Sequence, residues 1–391
     1  MKARPGYDAL VIGGGIAGLT SAIALERVGL RARILERATA LTQAGTALSL
    51  WPNALAALSE LGLSTALTDI GIEEPGGIIR DWTGREIVTL DQTRLSQQLG
   101  TPTLVVHRGK LQQVLLRAAS GIPIAMHTTV SHIASHASGC VVTTSSGETF
   151  DAPLVLACDG IRSVARPVMG NPRPRFSGRS SWRAVLDGAS HLVSGACLTT
   201  GQGKQFIASN LEGDQVYWAA DVGLPEGANE AMVGRKEFLL RQFSQWHDPI
   251  CELIERSDEE DLVIADVFDS LPRRLFRDRV VALGDAAHPM TPDLGQGACQ
   301  AIEDAVVLAA CLSKSRDVSQ ALARYEAARL RRVRMVVRSS RRLGRIATTD
   351  SKVGSRMRDG FAAHMPDWLN RKLVGRYAST ASFLKTLPQV A

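Results

Sequence analysis

Asp8-Ala9-Leu10-Val11-Ile12-Gly13-Gly14-Gly15-Ile16-Ala17-Gly18 reads as a short buried strand running into a glycine-rich turn. Leu19, Ala22, Ile23 and Leu25 then recur at helical spacing, Gly29 closes that helix, and Arg31-Ala32-Arg33-Ile34-Leu35-Glu36 forms the next strand. Residues 7–37 are therefore one βαβ unit. In the Gly13-x-Gly15-x-x-Gly18 pattern each glycine has its own task. Gly13 permits the tight turn, Gly15 lets backbone approach a pyrophosphate, and Gly18 lets the helix pack on the strand. The helix N-terminus, with its unpaired N–H groups and positive dipole end, then faces the phosphates. Glu36, at the end of the second strand, supplies an acceptor for an adenosine ribose and repels a 2′-phosphate. The expected ligand is a dinucleotide, FAD or NAD rather than NADP.

Outward from this unit, Pro52-Asn53 opens a helix over Ala54–Leu61, and residues 78–99 hold two strand-like runs. Val105–Ala119 starts as a strand and continues as a helix. Residues 124–157 alternate in the strand manner, with a hairpin at Ser145–Glu148. From 176 to 268 the pattern is mostly β, with strands around Ser181–Leu186, Gln205–Ser209 and Val216–Asp221, interrupted by one expected helix over Glu237–Glu255. Val280–Leu283 is an apolar strand, and long helices follow over Gly297–Leu312 and from Val318 past Arg342. The expected fold is α/β: a Rossmann-like domain interrupted by a β-rich substrate domain, with C-terminal helices. The expected boundaries are 1–76, 100–175 and 266–345 for the discontinuous first domain, 77–99 and 176–265 for the second, and 346–391 for the C-terminal segment.

The 391 residues are 45% hydrophobic and 21% charged, an ordinary globular mixture that excludes a disordered chain. No run approaches the ~18–20 apolar residues of a membrane span. Met1–Gly6 leads straight into the first strand without a secretory signal, so a cytoplasmic protein is expected. The six cysteines form no C-x-x-C pair and fit no zinc site, and they read as free thiols in a reducing compartment. The net charge is +6. Arg329, Arg331, Arg332, Arg334, Arg338, Arg341, Arg342 and Arg345 crowd one expected helix, read as a solvated face paired with carboxylates such as Glu326. No nucleic-acid motif or stacking aromatics accompany them, so no nucleic-acid partner is expected.

Two further strands end in acidic motifs. One is Leu154-Val155-Leu156-Ala157-Cys158-Asp159-Gly160-x-Arg162-Ser163-x-x-Arg166. The other is Val281-Ala282-Leu283-Gly284-Asp285-Ala286-Ala287-His288-Pro289, followed by Pro292-Asp293-Leu294-Gly295-Gln296-Gly297 and a helix. Together with the first unit, and in this order, they resemble the single-component FAD-dependent monooxygenases of the aromatic-hydroxylase family, the group containing salicylate hydroxylase, urate hydroxylase and zeaxanthin epoxidase. His107-Arg108-Gly109-x-Leu111 and Trp182-Arg183-Ala184-Val185 resemble further family segments, so that the likeness spans about residues 7–345.

The resemblance implies that Gly13, Gly15 and Gly18 carry the FAD pyrophosphate, with Glu36 and Arg37 at the adenosine ribose and the Val130 backbone by the adenine. Arg108 would contact the ribityl–pyrophosphate region. Asp159 would lie near FAD and the route of the nicotinamide, and Asp285 would take ribityl or phosphate oxygens. The N–H groups around Gly295, Gln296 and Gly297 would face the flavin pyrimidine edge and stabilise its reduced anion, with Pro292 packed by the ring. The implied reaction uses NADH or NADPH and O2 and passes through a flavin C4a-hydroperoxide. It delivers one oxygen atom to an aromatic or electron-rich small molecule. A flavin reductase or dehydrogenase, an epoxidase and a Baeyer–Villiger enzyme stay open as alternatives on the same scaffold.

Substrate candidates are Trp182, Arg183, Gln205, Tyr217 and Asp293. In the urate hydroxylase branch an arginine follows the Gly-x-Gly-Lys strand start and pairs with an aspartate near the flavin. Here Gly201-Gln202-Gly203-Lys204 is followed by Gln205, so the aspartate has lost that arginine and urate becomes a doubtful substrate. His107 and His288 read as structural. No H-E-x-x-H or carboxylate cluster suggests a metal. The C-terminal helices are expected to pack on the first domain, in a monomer or homodimer.

Overall fold

The computed structural model describes residues 6–41, 46–74, 76–91, 93–136, 138–230 and 232–379. Residues 1–5 and 380–391, at the two ends of the expected domains, lie outside them.

The βαβ unit forms as read, with strands Ala9–Ile12 and Ala32–Leu35 around the helix Ile16–Arg27. Ala9–Ile12 is buried along its whole length because it pairs in parallel with Ala32–Leu35 on one side and Leu154–Ala157 on the other. Both faces of this sheet are covered, which is why its strands are continuous apolar runs rather than alternating ones. The sheet has six strands, in the order Phe276–Arg277, Val280–Ala282, Leu154–Ala157, Ala9–Ile12, Ala32–Leu35, Ile124–Ala125. The helices Ile16–Arg27 and Gly297–Ser313 pack together on it.

A second sheet has seven strands, ordered Val263–Asp269, Arg175–Asp187, Gln215–Gly223, Lys204–Leu211, Ala196–Gly201, Gly76–Asp81, Glu86–Asp91. Ala196–Gly201 was not among the expected strands. The single helix expected over Glu237–Glu255 is two, Arg235–Phe243 and Ile250–Glu255. Pro249 explains the break: it has no N–H to continue the ladder, and it pushes Asp248 away from helical dihedrals.

Side chains of the seven-stranded sheet alternate between two environments. Trp182, Ala184, Phe206, Trp218 and Ala220 point to one face, where they form a core with Phe243, Leu253 and Ile254 of the two helices. Phe206 stacks on Trp218 at 5.4 Å between centroids, and the Trp218 indole N–H donates to Ser257 Oγ at 2.9 Å. Arg183, Gln205, Tyr217 and Asp221 occupy the alternate positions and take the opposite face.

The long helix Val318–Ala347 also departs from the reading of a solvated basic face. Tyr325, Arg329, Val333, Val336 and Val337 are buried at helical spacing. Arg329 is only 1% exposed and sits between Glu303 and Asp304 of the Gly297–Ser313 helix. Arg332 pairs with Glu303 and Arg341 with Asp269, whereas Glu326 accepts from the Leu275 N–H. All six cysteines are free thiols, as read. Among the described residues no helix is long and apolar enough to cross a membrane, and no group of acidic, His or Cys side chains could hold a metal ion.

Candidate active site

The three glycines do different work. A Cβ on Gly18 would lie 1.8 Å from the Gly13 carbonyl oxygen, and one on Gly13, where φ is +101°, 2.6 Å from the Cys158 carbonyl oxygen. Both are demanded by the fold itself. A Cβ on Gly15 would meet nothing within 4 Å. Gly15 therefore keeps open a space that the protein leaves unfilled, at the start of a helix with no side-chain cap. That is the cradle a pyrophosphate requires. Beside it Glu36 is buried, its two oxygens accepting from the Gly14 N–H at 2.5 Å and the Ala38 N–H at 2.8 Å. These bonds fix the carboxylate while leaving lone pairs for ribose hydroxyls. Arg37 is exposed next to it. The Thr128 N–H donates to the Glu36 carbonyl at 2.7 Å, which brings the buried Val130 alongside.

The two acidic strand ends meet at the same cleft. Asp159 Oδ2 accepts from the Val164 N–H at 2.8 Å, whereas its Oδ1 is buried without a hydrogen-bond partner. Burial pushes its pKa up, opposed by bonds from Ser163 and Val164. Arg166, on the short helix Ala165–Met169 that follows, reaches the Asp285 carbonyl oxygen at 2.9 Å. The Asp285 side chain is open to the cleft yet walled in by protein. Loss of hydration pushes its pKa up, against the pull of His288, Arg166, Arg108 and Arg183. The Arg108 pKa is pushed down by burial, with Asp285 acting the other way and Arg183 adding to the fall. His107 accepts from the Gly109 N–H and caps the following helix, and His288 binds Asp304 at 2.6 Å, so both histidines are structural.

The third wall is the turn Pro292–Leu294 and the start of the Gly297–Ser313 helix. Pro292 and Gly295 are exposed, and Gly295 adopts φ +60°, the left-handed region that suits glycine. Gln296 Oε1 accepts from Asn53 and Gln300, which leaves its Nε2 buried without an acceptor. Trp51 Nε1, within 3.2 Å of a Cβ built on Gly295, is likewise without one. The helix has neither a side-chain cap nor an acidic residue in its first turn. Buried donors left over at a helix N-terminus suit an electron-rich ring edge.

The polar face of the seven-stranded sheet closes the cleft. Arg179 Nη2 donates to Asp293 Oδ2 at 2.5 Å, and Arg179 Nε lies 3.4 Å from Asp221 Oδ2. Gln205 Nε2 donates to Asp221 at 2.6 Å and to Asp293 at 3.4 Å. The arginine absent from position 205 is thus replaced by one two strands away, and Asp293 keeps a cation. Gly344 completes the fit, since a Cβ there would lie 2.4 Å from Asp293 Oδ2. Neither Arg179 nor Gly344 was picked out from sequence, although Arg179 shares its strand face with Arg183. Burial pushes the Tyr217 hydroxyl pKa up, with Arg183 opposing it. Trp182 is a correction: fully buried on the other face and 5.8 Å from the Phe238 ring, it belongs to the core and cannot reach a substrate on the Arg183 side.

Comparison with known proteins gives the chain a family. A family model described as FAD binding domain matches residues 6–340. The aurachin C monooxygenase/isomerase of Stigmatella aurantiaca is 39% identical over 346 residues, covering 88% of this chain and 90% of the relative. An FAD-dependent urate hydroxylase of Klebsiella pneumoniae is 33% identical over 340 residues, covering 85% and 88%. Klebsiella pneumoniae HpxO, solved with FAD and uric acid, superposes with a TM-score of 0.88 at 29% identity, over 97% of each chain.

Proposed function

Because the chain belongs to the FAD binding domain family, we propose that it is an FAD-dependent monooxygenase. It uses NADH or NADPH and O2 to insert one oxygen atom, by hydroxylation, into an aromatic or electron-rich small molecule. The observation that carries this reading is the open space at Gly15, continuous in role with the cleft-facing Asp285 and the unpaired donors at the Gly297 helix.

FAD supplies the redox chemistry and the activation of O2. The protein's own part is binding, orientation and charge. Gly13, Gly15 and Gly18 with the first helix take the pyrophosphate, and Glu36, with Arg37 and the Val130 backbone nearby, takes the adenosine end. Arg108, Asp159 and Asp285 hold the middle of the cofactor. Gly295, Gln296 and Gly297 offer donors to negative charge on the ring, beside Pro292. Arg183, Gln205, Tyr217 and Asp293 orient the substrate. The substrate unit is 77–99 and 176–265, inserted in a cofactor unit of 1–76, 100–175 and 266–345. The enzyme acts in the cytoplasm as a monomer or homodimer.

The test is NAD(P)H consumption by the purified yellow protein with phenols, indoles, quinolones and purines, with peroxide recorded and product analysed after reaction under 18O2. One class that accelerates consumption, without matching peroxide and with label in the product, is the expected result. Accelerated consumption without label would replace the oxygenase by a reductase. Gly15→Val is expected to purify colourless with the stability of the FAD-free parent, because its side chain fills ligand space rather than protein. A fully yellow variant would overturn the cofactor site.

A further inference from the structure

The C-terminal helix Lys352–Ala363 is amphipathic the wrong way round. Val353, Met357 and Phe361 fall at i, i+4 and i+8 on one face, and they are 68%, 71% and 66% exposed. The half-buried positions are instead small or polar: Gly354, Ser355, Arg358, Asp359 and Ala362. Arg358 anchors the helix through the Ala347 carbonyl oxygen at 2.8 Å, and Ser351 caps its start. A helix packed to bury its apolar side would present the reverse. The neighbouring helices add to the apolar exposure, with Leu343 and Ile346 at 41% and 46% before it and Trp368 at 60% after it.

Charge decides what covers this face. Residues 341–379 hold nine lysines and arginines against three aspartates, so this short stretch matches the formal +6 of the entire chain. Arg342, Arg345 and Arg356 are exposed among the apolar side chains. A second copy of the same segment would bring like charges together as it buried the apolar face. An anionic lipid surface accepts both features: apolar side chains enter the headgroup–acyl boundary, aromatic rings settle there, and arginines meet lipid phosphates.

We propose that the exposed face of the Lys352–Ala363 helix docks this enzyme reversibly on an anionic lipid bilayer. The test uses full-length, FAD-loaded protein and two kinds of vesicle, phosphatidylcholine alone and phosphatidylcholine with phosphatidylglycerol. Co-sedimentation is expected with the anionic vesicles only, weakening as salt is raised. Met357→Glu combined with Phe361→Glu should weaken that binding about tenfold or more, since it removes apolar insertion and adds repulsion. Both positions are exposed, so FAD content and Tm should not change.

Absence of binding to the anionic vesicles, or equal binding to both kinds, would overturn the proposal. So would vesicle binding that survives the double substitution. A wild-type dimer that the double substitution splits would assign the face to a second copy instead.

Discussion

Arg329 and Arg179 are both buried, each between two carboxylates, yet one builds scaffold and the other builds a site. All three guanidinium nitrogens of Arg329 are engaged. Nε donates to Asp304, Nη1 to Glu303, and Nη2 to the backbone and side-chain oxygens of Gln300. Its carboxylate partners are satisfied in turn, Glu303 by Arg332 and Asn53, and Asp304 by His288 and the Gly284 N–H. Around the Arg329 guanidinium the network is closed. Arg179 has one strong bond, to Asp293, while its buried Nε lies 3.4 Å from Asp221 without forming a hydrogen bond. A closed buried network fixes geometry, and a half-open one is costly until another partner arrives. Openness, rather than burial or charge, separates the substrate wall from the joint between the two long helices.

The contrast would break most visibly at Arg329. Arg329→Met leaves Glu303 and Asp304 short of a cation, and we expect a loss of about 3–5 kcal/mol in urea unfolding. A variant as stable as the parent would remove the distinction. Acid should attack the same joint. Burial alone would raise the Asp304 pKa, but His288 and Arg329, through charge and hydrogen bonds, hold it at about 2, against an ordinary 3.8. The folded pKa lies below the unfolded one. Its contribution is therefore complete above about pH 4 and lost as pH falls toward 2. Asp304→Asn, followed by Tm against pH, should flatten the curve in that window.

At the open cluster the effects shift from stability to function. Arg179→Met should cost only about 1–3 kcal/mol, since Gln205 still donates to both aspartates. It should also lower the coupling of NAD(P)H use to product by about tenfold, the size of one lost charge-assisted contact. If coupling holds while stability collapses, Arg179 is scaffold after all. The smallest effect is expected from Gln205→Ala, about 1 kcal/mol in the same unfolding assay, with FAD content unchanged.

The cofactor half was readable because its signals are local. Three glycines and an acid within the span from Gly13 to Glu36 carry the turn, the helix start and the buried carboxylate beside them. Arg329 was misread because its partners lie on another helix. A local sign existed: Arg329 shares the buried stripe of Tyr325 and Val333, at i−4 and i+4. Trp182 was misassigned for want of a parity argument, since neighbouring residues on a strand cannot face the same side, and Arg183 already claimed the cleft. The split at Pro249 was legible from proline alone. The Arg179–Asp293 pair was not, because 114 residues separate its members and only the packing of a sheet against a turn brings them together.

The order of strands in the six-stranded sheet also sets a schedule for synthesis. Ala9–Ile12 lies against Leu154–Ala157, which lies against Val280–Ala282. The first strand finds Ala32–Leu35 almost at once, but the sheet is completed only when Val280–Ala282 is made, roughly 15–50 s later at ordinary elongation rates. The seven-stranded sheet draws every strand from residues 76–269, so it can close while the other sheet still lacks its strand at Val280–Ala282. The seven-stranded sheet is thus finished first and the six-stranded sheet last. A nascent chain stalled before Val280 would carry all seven strands of one sheet and an unfinished edge on the other.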